Sequence, residues 1–361
     1  MKTSRIIIIV LVIVVIVVAA LIAVTALSSA PPKCTTIWDC AAGYPVQVGG
    51  TLAIAGQQCV SGPSTIYCIG GQDANGGPRD EVYYASPIST SGNITGWTLS
   101  TTPYPLYING ESCVISSGII YCVGGSYNDA GDDVASSYYA SVTASGSLGT
   151  WNSTTPYPIP VDTQSCVTSS SYIYCVGGNN QTDGSDADAT VTNSVWFAPL
   201  SPSGIGNWSL ATAYPTNVYY PVCYTAASDI YCLGGADDNG NSLGTAYYAT
   251  LSPSGVGAWT STTAYPVSGT GQACVISSGN ILCVGGETSG GNSPSYTNAV
   301  YYAPISSGGI GTWKQSTSYP ISVGTACVAL SGNIYCVGGF DGSSTMEDNV
   351  VEFASLASLM S

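Results

Sequence analysis

The sequence predicts an all-β protein with a six-bladed β-propeller architecture, and three repeated features support this prediction. Six pairs of cysteines occur, each with eight intervening residues. A hydrophobic residue and Gly-Gly follow every pair, and a Tyr-Pro dipeptide precedes it. Short apolar runs separated by Gly, Pro, Asn and Asp are typical of β-strands and turns. Because the units recur about every 51–57 residues, which marks a repeat architecture, each unit is expected to form one four-stranded blade.

A long apolar segment precedes the repeats. Residues 6–24 are nineteen consecutive apolar residues, and they follow Lys2 and Arg5. A helix of this length spans about 28 Å, close to the thickness of a bilayer core, and basic residues favour the inner side. We therefore predict a cytoplasmic N-terminus at 1–5, a transmembrane anchor at 6–28, a linker at 29–33 and an extracellular domain at 34–361. The alternative is a signal sequence cleaved near Ser28-Ser29-Ala30, which would give a secreted protein.

The cysteine pairs define a β-hairpin in each unit. In the second unit Ser117-Gly118 is the predicted two-residue turn, which places Cys113 opposite Cys122 as a non-hydrogen-bonded pair. Such partners have Cα atoms about 4.5 Å apart, within the range that a disulfide spans. Constant spacing in an exported chain also indicates disulfides. The predicted bridges are Cys59–Cys68, Cys113–Cys122, Cys166–Cys175, Cys223–Cys232, Cys274–Cys283 and Cys327–Cys336.

Two alternatives to the disulfides remain open. Six pairs of free, buried thiols would fit the same spacing. A metal site is disfavoured, because the chain has no histidine and its hairpin cysteines are not closely spaced.

A third and a fourth strand complete each predicted blade. The third is an aromatic run such as Val-Tyr-Tyr-Ala at 82–85, and the fourth is marked by Trp97 and its counterparts. The sixth unit has no such Trp, whereas Trp38 precedes Tyr44-Pro45 at the expected spacing. We therefore expect the N-terminal strand to complete the sixth blade and close the ring. The predicted blades are residues 44–97, 104–151, 157–208, 214–259, 265–313 and 319–354, the last joined by 34–38.

Two further cysteines, Cys34 and Cys40, lie outside the hairpin pattern. In a fully extended strand their Cα atoms would be about 20 Å apart, too far for a disulfide. They pair with each other if the chain bends after Trp38, and pairing with a partner protein is the alternative.

The units resemble the kelch repeat. The hydrophobic run before Gly70-Gly71, the Tyr83-Tyr84 pair and the downstream Trp97, with their counterparts, carry the resemblance over nearly all of residues 34–354. The resemblance implies a β-propeller, commonly of six blades and closed by strands from both chain ends. The hairpin cysteines and the Tyr-Pro opening depart from the usual pattern. No single function is implied, because propellers serve many unrelated roles.

The charged residues are few and mostly acidic, with a net charge of −15. Only Lys33, Arg79 and Lys314 are basic in the exported part, which argues against nucleic acid as a partner. Fifteen acidic residues fall in the six loops after Gly-Gly, which emerge on one face of a propeller. They are Asp73, Asp80, Glu81, Asp129, Asp132, Asp133, Asp183, Asp186, Asp188, Asp237, Asp238, Glu287, Asp341, Glu347 and Asp348. Asp favours turns, so ordinary loop chemistry is one explanation, and a shared recognition face is the other.

The acidic loops also contain the candidate metal residues. Asp183, Asp186 and Asp188 in one loop, and Asp237 and Asp238 in another, are the candidate ligands for Ca²⁺, which takes carboxylate oxygens. Neither loop matches a complete EF-hand, because no Glu stands at the twelfth position. No other cofactor is expected.

Composition excludes the enzyme classes that need histidine or a cluster of arginines. Without histidine the chain has no Ser-His-Asp triad and no His-ligated copper or zinc. Arg79 alone does not supply the arginine cluster of a sialidase-type propeller. A glycosidase needs only two carboxylates, but no pair stands out in the sequence, and we assign no catalytic residue.

Two further groups of residues are candidates for recognition and modification. Tyr107, Tyr127, Tyr219 and Tyr296 lie in or near predicted loops, where they are available to stack on sugar rings. N-glycosylation sequons begin at Asn93, Asn152, Asn180 and Asn207.

These observations predict a non-enzymatic module at the cell surface, anchored by a single membrane span. We expect it to bind a glycan or a surface protein through the acidic loop face. A structural role in the cell envelope is one alternative, and a glycan-active hydrolase that uses loop carboxylates is another.

Overall fold

The computed structural model of this chain describes residues 35, 37–45, 54–73, 76–87, 91–127, 132–181, 190–288, 295–322, 324–340 and 348–361. The predicted N-terminus, anchor and linker lie outside these residues. Within the described ranges, no helix is both long and apolar enough to span a membrane.

Six antiparallel sheets form the blades of a six-bladed β-propeller, as the sequence predicts. The first and innermost strands are β3 (Gln58–Ser61), β8 (Ser112–Ser116), β12 (Ser165–Ser169), β19 (Val222–Ala226), β24 (Ala273–Ser277) and β29 (Gly324–Leu330). The second strands are β4 (Ile66–Ile69), β9 (Ile119–Val123), β13 (Tyr172–Val176), β20 (Asp229–Leu233), β25 (Asn280–Val284) and β30 (Asn333–Phe340).

The outer half of each blade has two more strands. The third strands are β6 (Val82–Ala85), β10 (Ser137–Ser141), β16 (Val195–Ser201), β21 (Ala246–Ser252), β26 (Val300–Ser306) and β31 (Asp348–Ser355). The fourth are β7 (Thr98–Leu99), β11 (Asn152–Ser153), β18 (Ser209–Leu210), β23 (Thr260–Ser261), β28 (Lys314–Gln315) and, for the sixth blade, β1 (Asp39–Cys40).

Short elements lie outside this four-strand pattern. Three of them, β17 (Gly204–Ile205), β22 (Gly255–Val256) and β27 (Gly309–Ile310), pair with the ends of third strands. Two separate ladders are β2 (Ile54–Ala55) with β5 (Gln72–Asp73), and β14 (Asn179–Asn180) with β15 (Thr190–Val191). A short helix, α1 (Leu356–Leu359), follows the last strand.

The hairpin prediction is confirmed in register and in bonding. Cys113 lies opposite Cys122, and both turn residues, Ser117 and Gly118, have positive φ. This is the type I′ pattern, whose twist matches that of the flanking strands. In the described part of the chain every hairpin carries its disulfide, with Cα atoms 4.0–4.1 Å apart.

The N-terminal strand closes the sixth blade, but it begins later than predicted. Asp39 pairs with Phe353 and Cys40 with Glu352, so the strand follows Trp38 and the prediction of 34–38 is wrong in its bounds. The fourth strand also starts directly after the Trp in the other five blades, because the indole packs inward and the next residues form the ladder. Cys40 is disulfide-bonded, whereas Cys34 lies outside the described residues.

The core lies between neighbouring blades. Second-strand tyrosines cross from one blade to the next, as when the Tyr121 hydroxyl donates to the Ser201 carbonyl at 2.8 Å. Tyr67, Tyr174, Tyr231 and Tyr335 make the equivalent bonds. The fifth blade has Leu282 at this position, and Leu282 shares a buried apolar cluster with Leu356 and Leu359 of α1. The terminal helix therefore supplies apolar contacts where the tyrosine is absent.

Candidate functional site

The six first strands surround a central channel. Each of them lies beside the first strands of its two neighbouring blades, so they form a closed ring. The channel has a volume of about 840 Å³ and is lined by the first cysteine of every hairpin. It is concave and partly polar, which are the general features of a ligand site.

One mouth of the channel lies on the face that carries the loops after Gly-Gly. Bridges join these loops to the segments that enter the first strands, such as Asp162 with Asn179 and Tyr219 with Ala236. Glu287 and Tyr296, from the loop of the fifth blade, line the channel. The acidic loops and the channel therefore share one face.

A residue with left-handed backbone conformation stands three positions before the first cysteine in five blades. It is glycine at Gly56, Gly110 and Gly271, but Thr163 and Tyr220 occupy it in the third and fourth blades, with φ of 55° and 51°. For residues with a Cβ this conformation costs about 1–2 kcal/mol. Two adjacent blades therefore keep a side chain at the mouth at the expense of backbone strain.

Backbone hydrogen bonds hold these strained residues in place. The Thr163 N–H donates to the Gly110 carbonyl, and the Tyr220 N–H donates to the Thr163 carbonyl, both at 2.9 Å. The bonds run from the second blade to the third and from the third to the fourth. The positions of both side chains are thus coupled to the packing of neighbouring blades.

Tyr220 is the aromatic residue that this strained position places at the mouth of the channel. Its side chain lines the channel and is 47% exposed, and its ring lies 5.6 Å from that of Tyr219 between centroids. Tyr296 lines the same channel, and a Cβ built on Gly324 would be 3.4 Å from its ring. Of the four tyrosines predicted from sequence, Tyr219 and Tyr296 lie at or beside the mouth, whereas Tyr107 and Tyr127 are exposed but do not line the channel.

Two acidic residues meet at the boundary between the second and third blades. Asp133 is buried, and its carboxylate accepts hydrogen bonds from the Ser126 hydroxyl at 3.1 Å and the Gln181 N–H at 2.6 Å. The Thr163 hydroxyl donates to Asp162 at 3.1 Å. Burial raises the pKa of both carboxyls, and the charge of Asp162 raises the pKa of Asp133 further.

A third acid lies farther round the mouth. The Thr270 hydroxyl donates to Glu287 at 3.4 Å, and burial raises the pKa of this carboxyl. Burial and the charge of Glu287 raise the pKa of Tyr296 to about 12. We call the residues that share this region the channel-mouth cluster, which consists of Asp133, Asp162, Thr163, Tyr219, Tyr220, Glu287 and Tyr296.

The basic residues that the structure describes lie away from this cluster. Arg79 forms ion pairs with Asp73 and Glu81 in the loop of the first blade. Lys314 is on the outermost strand of the fifth blade, 5.9 Å from the centre of the Tyr302 ring. The charge of the channel-mouth cluster is therefore acidic.

The calcium candidates are only partly described. Asp237 accepts bonds from the main-chain N–H groups of Asn239 and Asn241 and from the Asn241 side chain. The Asn241 side-chain bond is the main reason why the pKa of Asp237 is lowered. Asp238 accepts from the Asn217 amide. Asp183, Asp186 and Asp188 lie outside the described residues, and within those ranges no group of three or more acidic or cysteine side chains is placed to hold a metal. The calcium site stays a prediction.

The remaining predicted residues are dispersed. Asp129, Asp341 and Glu347 lie outside the described residues, and so does the side chain of Asp348. Asn152 and Asn207 are exposed near the outer edges of their blades, whereas Asn93 and Asn180 are half-buried. Glycosylation at all four sites stays a prediction.

Sequence reasoning did not single out Asp162, Thr163 or Tyr220. A signal was nevertheless present. When the units are aligned on their first cysteine, Thr163 and Tyr220 replace a glycine that the other four units keep. Such a replacement at a left-handed position indicates that the side chain has a role.

Comparison with known proteins identifies the fold alone. No family model matches the chain, and no curated protein matches it. A solved structure described as "Structure of YjhT" is similar, with a TM-score of 0.67 and 14% sequence identity. The similarity covers 85% of this chain and 95% of that structure, so it supports the propeller architecture without extending to function.

Proposed function

We propose that the protein is a non-enzymatic binding module that recognises a glycan at the channel-mouth cluster. The observation that carries the proposal is Tyr220, a half-exposed aromatic side chain held at a backbone conformation that favours glycine. Glycine would remove the strain, so retention of the aromatic ring supports a contact with a ligand.

The chemistry of the cluster favours a neutral sugar. Tyrosine rings offer flat apolar faces for the C–H side of a pyranose, and their hydroxyls make hydrogen bonds. Carboxylates such as Asp162 and Glu287 accept hydrogen bonds from sugar hydroxyls. An anionic sugar would meet these acids without a cation to pair with it, because Arg79 is engaged by Asp73 and Glu81.

The carboxyl groups of Asp133 and Asp162 are better arranged for binding a sugar than for hydrolysing it. Both carboxyl oxygens of Asp133 already accept hydrogen bonds from the protein, which leaves the group poorly placed to transfer a proton to a substrate. A glycosidase that uses Asp133 and Asp162 is the second candidate, favoured only by the raised pKa of both groups.

The proposed setting is the outer surface of a membrane. The apolar residues 6–24 support an anchor, and the oxidised hairpins support an oxidising compartment. The repeat pattern supports a kelch-like propeller. In this setting the channel mouth would serve attachment to glycans of a neighbouring surface.

A glycan array with the full-length, oxidised protein tests the proposal. We expect saturable binding to a neutral sugar class, lost in Tyr220→Ala and retained in Tyr107→Ala, a control on an exposed tyrosine outside the channel. Binding that is retained in Tyr220→Ala would show that the channel-mouth cluster is not the glycan site. Cleavage of a bound oligosaccharide would show that the protein is a hydrolase. A silent array would favour a protein ligand or a role in the cell envelope.

A further inference from the structure

A second repeated position, two residues before the first cysteine, controls contacts between blades. Glutamine occupies it in three blades. Gln57 and Gln164 donate through Nε2 to the carbonyls of Val337 and Val123, each at 2.7 Å, and Gln272 donates to Leu233 at 3.5 Å. Each acceptor is the residue that follows the second cysteine of the preceding blade. The glutamine amide therefore joins consecutive blades near the channel.

Glu111 occupies this position between the first and second blades. Its side chain is only 1% exposed, and it occupies the same position between blades as the glutamine side chains. A Cβ built on Gly70 would be 2.9 Å from Glu111 Oε1, just as one on Gly124 would be 2.8 Å from Gln164 Nε2. The counterpart of the Val123 carbonyl is then the main-chain carbonyl of Ile69.

An ionised carboxylate has no proton to donate in this place. Neither oxygen of Glu111 has a hydrogen-bond partner among the described residues. A buried, ionised carboxylate without partners is strongly unfavourable, whereas a carboxylic acid carries an O–H donor that matches the amide N–H of glutamine.

No cation balances the carboxyl in its described surroundings. The titratable groups that interact with Glu111 are the buried hydroxyls of Tyr44 and Tyr104, whose own pKa values are raised by burial above the ordinary 10. Glu81, whose main-chain carbonyl accepts from Gly70, has its carboxylate paired with Arg79. Burial raises the pKa of Glu111 to about 8, and its own N–H lies near enough to offset only part of this effect.

We propose that Glu111 is a carboxylic acid at neutral pH and donates its proton to the Ile69 carbonyl, so that the first and second blades are joined by a proton-dependent hydrogen bond. Loss of the proton leaves a buried charge beside a carbonyl and weakens this one blade boundary. The bond is an acid-stabilised link beside the channel, independent of the ligand proposed for its mouth.

The dependence of stability on pH has a definite sign. The folded state keeps a proton that the unfolded chain releases near pH 4.5, so this contribution is complete below that pH and is lost as pH rises toward about 8. Across this window the single group lowers the folding equilibrium constant about tenfold per pH unit.

The test compares the full-length, oxidised protein with Glu111→Gln and with Gln164→Glu across pH 4–9. In Glu111→Gln the free energy of unfolding should lack the pH dependence that the titration of one group produces. This variant should also be more stable than wild type above pH 7. Gln164→Glu places an acid in the equivalent site and should gain the same dependence. The infrared difference between wild type and Glu111→Gln at pH 6 should contain one carboxylic acid C=O band.

Three outcomes would overturn the proposal. They are a Glu111→Gln variant that keeps the wild-type pH dependence, a difference spectrum without the acid band, and a Gln164→Glu variant with no added dependence. If Glu111→Gln does not fold, two measurements on Gln164→Glu test the proposal instead. They are its infrared difference spectrum against wild type and the pH dependence of its unfolding.

Discussion

Trp38 and Tyr319, which lie near opposite ends of the chain, pack edge to face with their ring centroids 4.8 Å apart. The other five blades repeat this pair at 4.9–5.0 Å, as Tyr214 does with Trp259. The contact at the chain ends is therefore the sixth copy of a regular blade feature. It attaches the N-terminal strand to the last blade through packing as well as through the ladder.

Removal of the Trp38 indole should destabilise the closed ring. Trp38 is fully buried, so we expect Trp38→Ala to lower the free energy of unfolding by about 3–5 kcal/mol, measured by urea denaturation. Trp259→Ala, at a partly buried copy of the same pair, should cost clearly less. Equal losses in the two variants would show that ring closure adds nothing to the local contact.

Backbone strain at Tyr220 should be separable from binding. Tyr220→Gly relieves the left-handed strain, whereas Tyr220→Ala keeps it, and both remove the ring. We expect the Gly variant to be more stable than the Ala variant by about 0.5–1 kcal/mol, with glycan binding lost in both. An Ala variant as stable as the Gly variant would argue against strain at this position.

Each hairpin disulfide should contribute to stability through a loop of about ten residues. In the chain-entropy model, replacement of both Cys113 and Cys122 by Ser should cost about 2.5–3 kcal/mol. Peptide mapping without reductant should recover the remaining five hairpin bridges unchanged. A variant with wild-type stability, or a new cysteine pairing, would contradict the independent action of the hairpins.

The acid pair at the channel mouth should make folding more favourable at lower pH. Because the pKa of Asp133 and that of Asp162 are raised in the folded state, their contributions fall as pH rises above the ordinary Asp range. Asp162→Asn should flatten this part of the pH profile of thermal unfolding.

Asp237→Asn is the matched control for that experiment. The pKa of Asp237 is lowered, so its contribution is present at neutral pH and disappears in acid, the opposite sign. The same change of slope in both variants would mean that overall charge, rather than the pair, governs the profile.

The sequence predicted those features that repeat locally. The register of Cys113 with Cys122 follows from a two-residue turn, and the third strand at 82–85 has the predicted bounds. The N-terminal closure follows from the spacing of Trp38. The start of the fourth strand was misplaced because the Trp side chain, which marks it in sequence, belongs to the core and precedes the ladder.

The site was less predictable because residues from several blades form it. Tyr220 and Tyr296 come from different blades, and their proximity depends on the curvature of the ring. Glu111 looks like an ordinary polar residue at a strand entry until its burial is known. In each case the informative signal is a departure from the other units, glycine to tyrosine or glutamine to glutamate.

The pairing of Asp39 and Cys40 with the last blade has a mechanical consequence. Any tension on the chain before residue 35 enters the ring through this outermost strand, which has only two ladder residues. Trp38 stands directly before it, and its fully buried indole packs on Tyr319, so the two-residue ladder does not hold this edge alone. We therefore expect the sixth blade to separate at its outermost strand under load, before the inner strands that surround the channel.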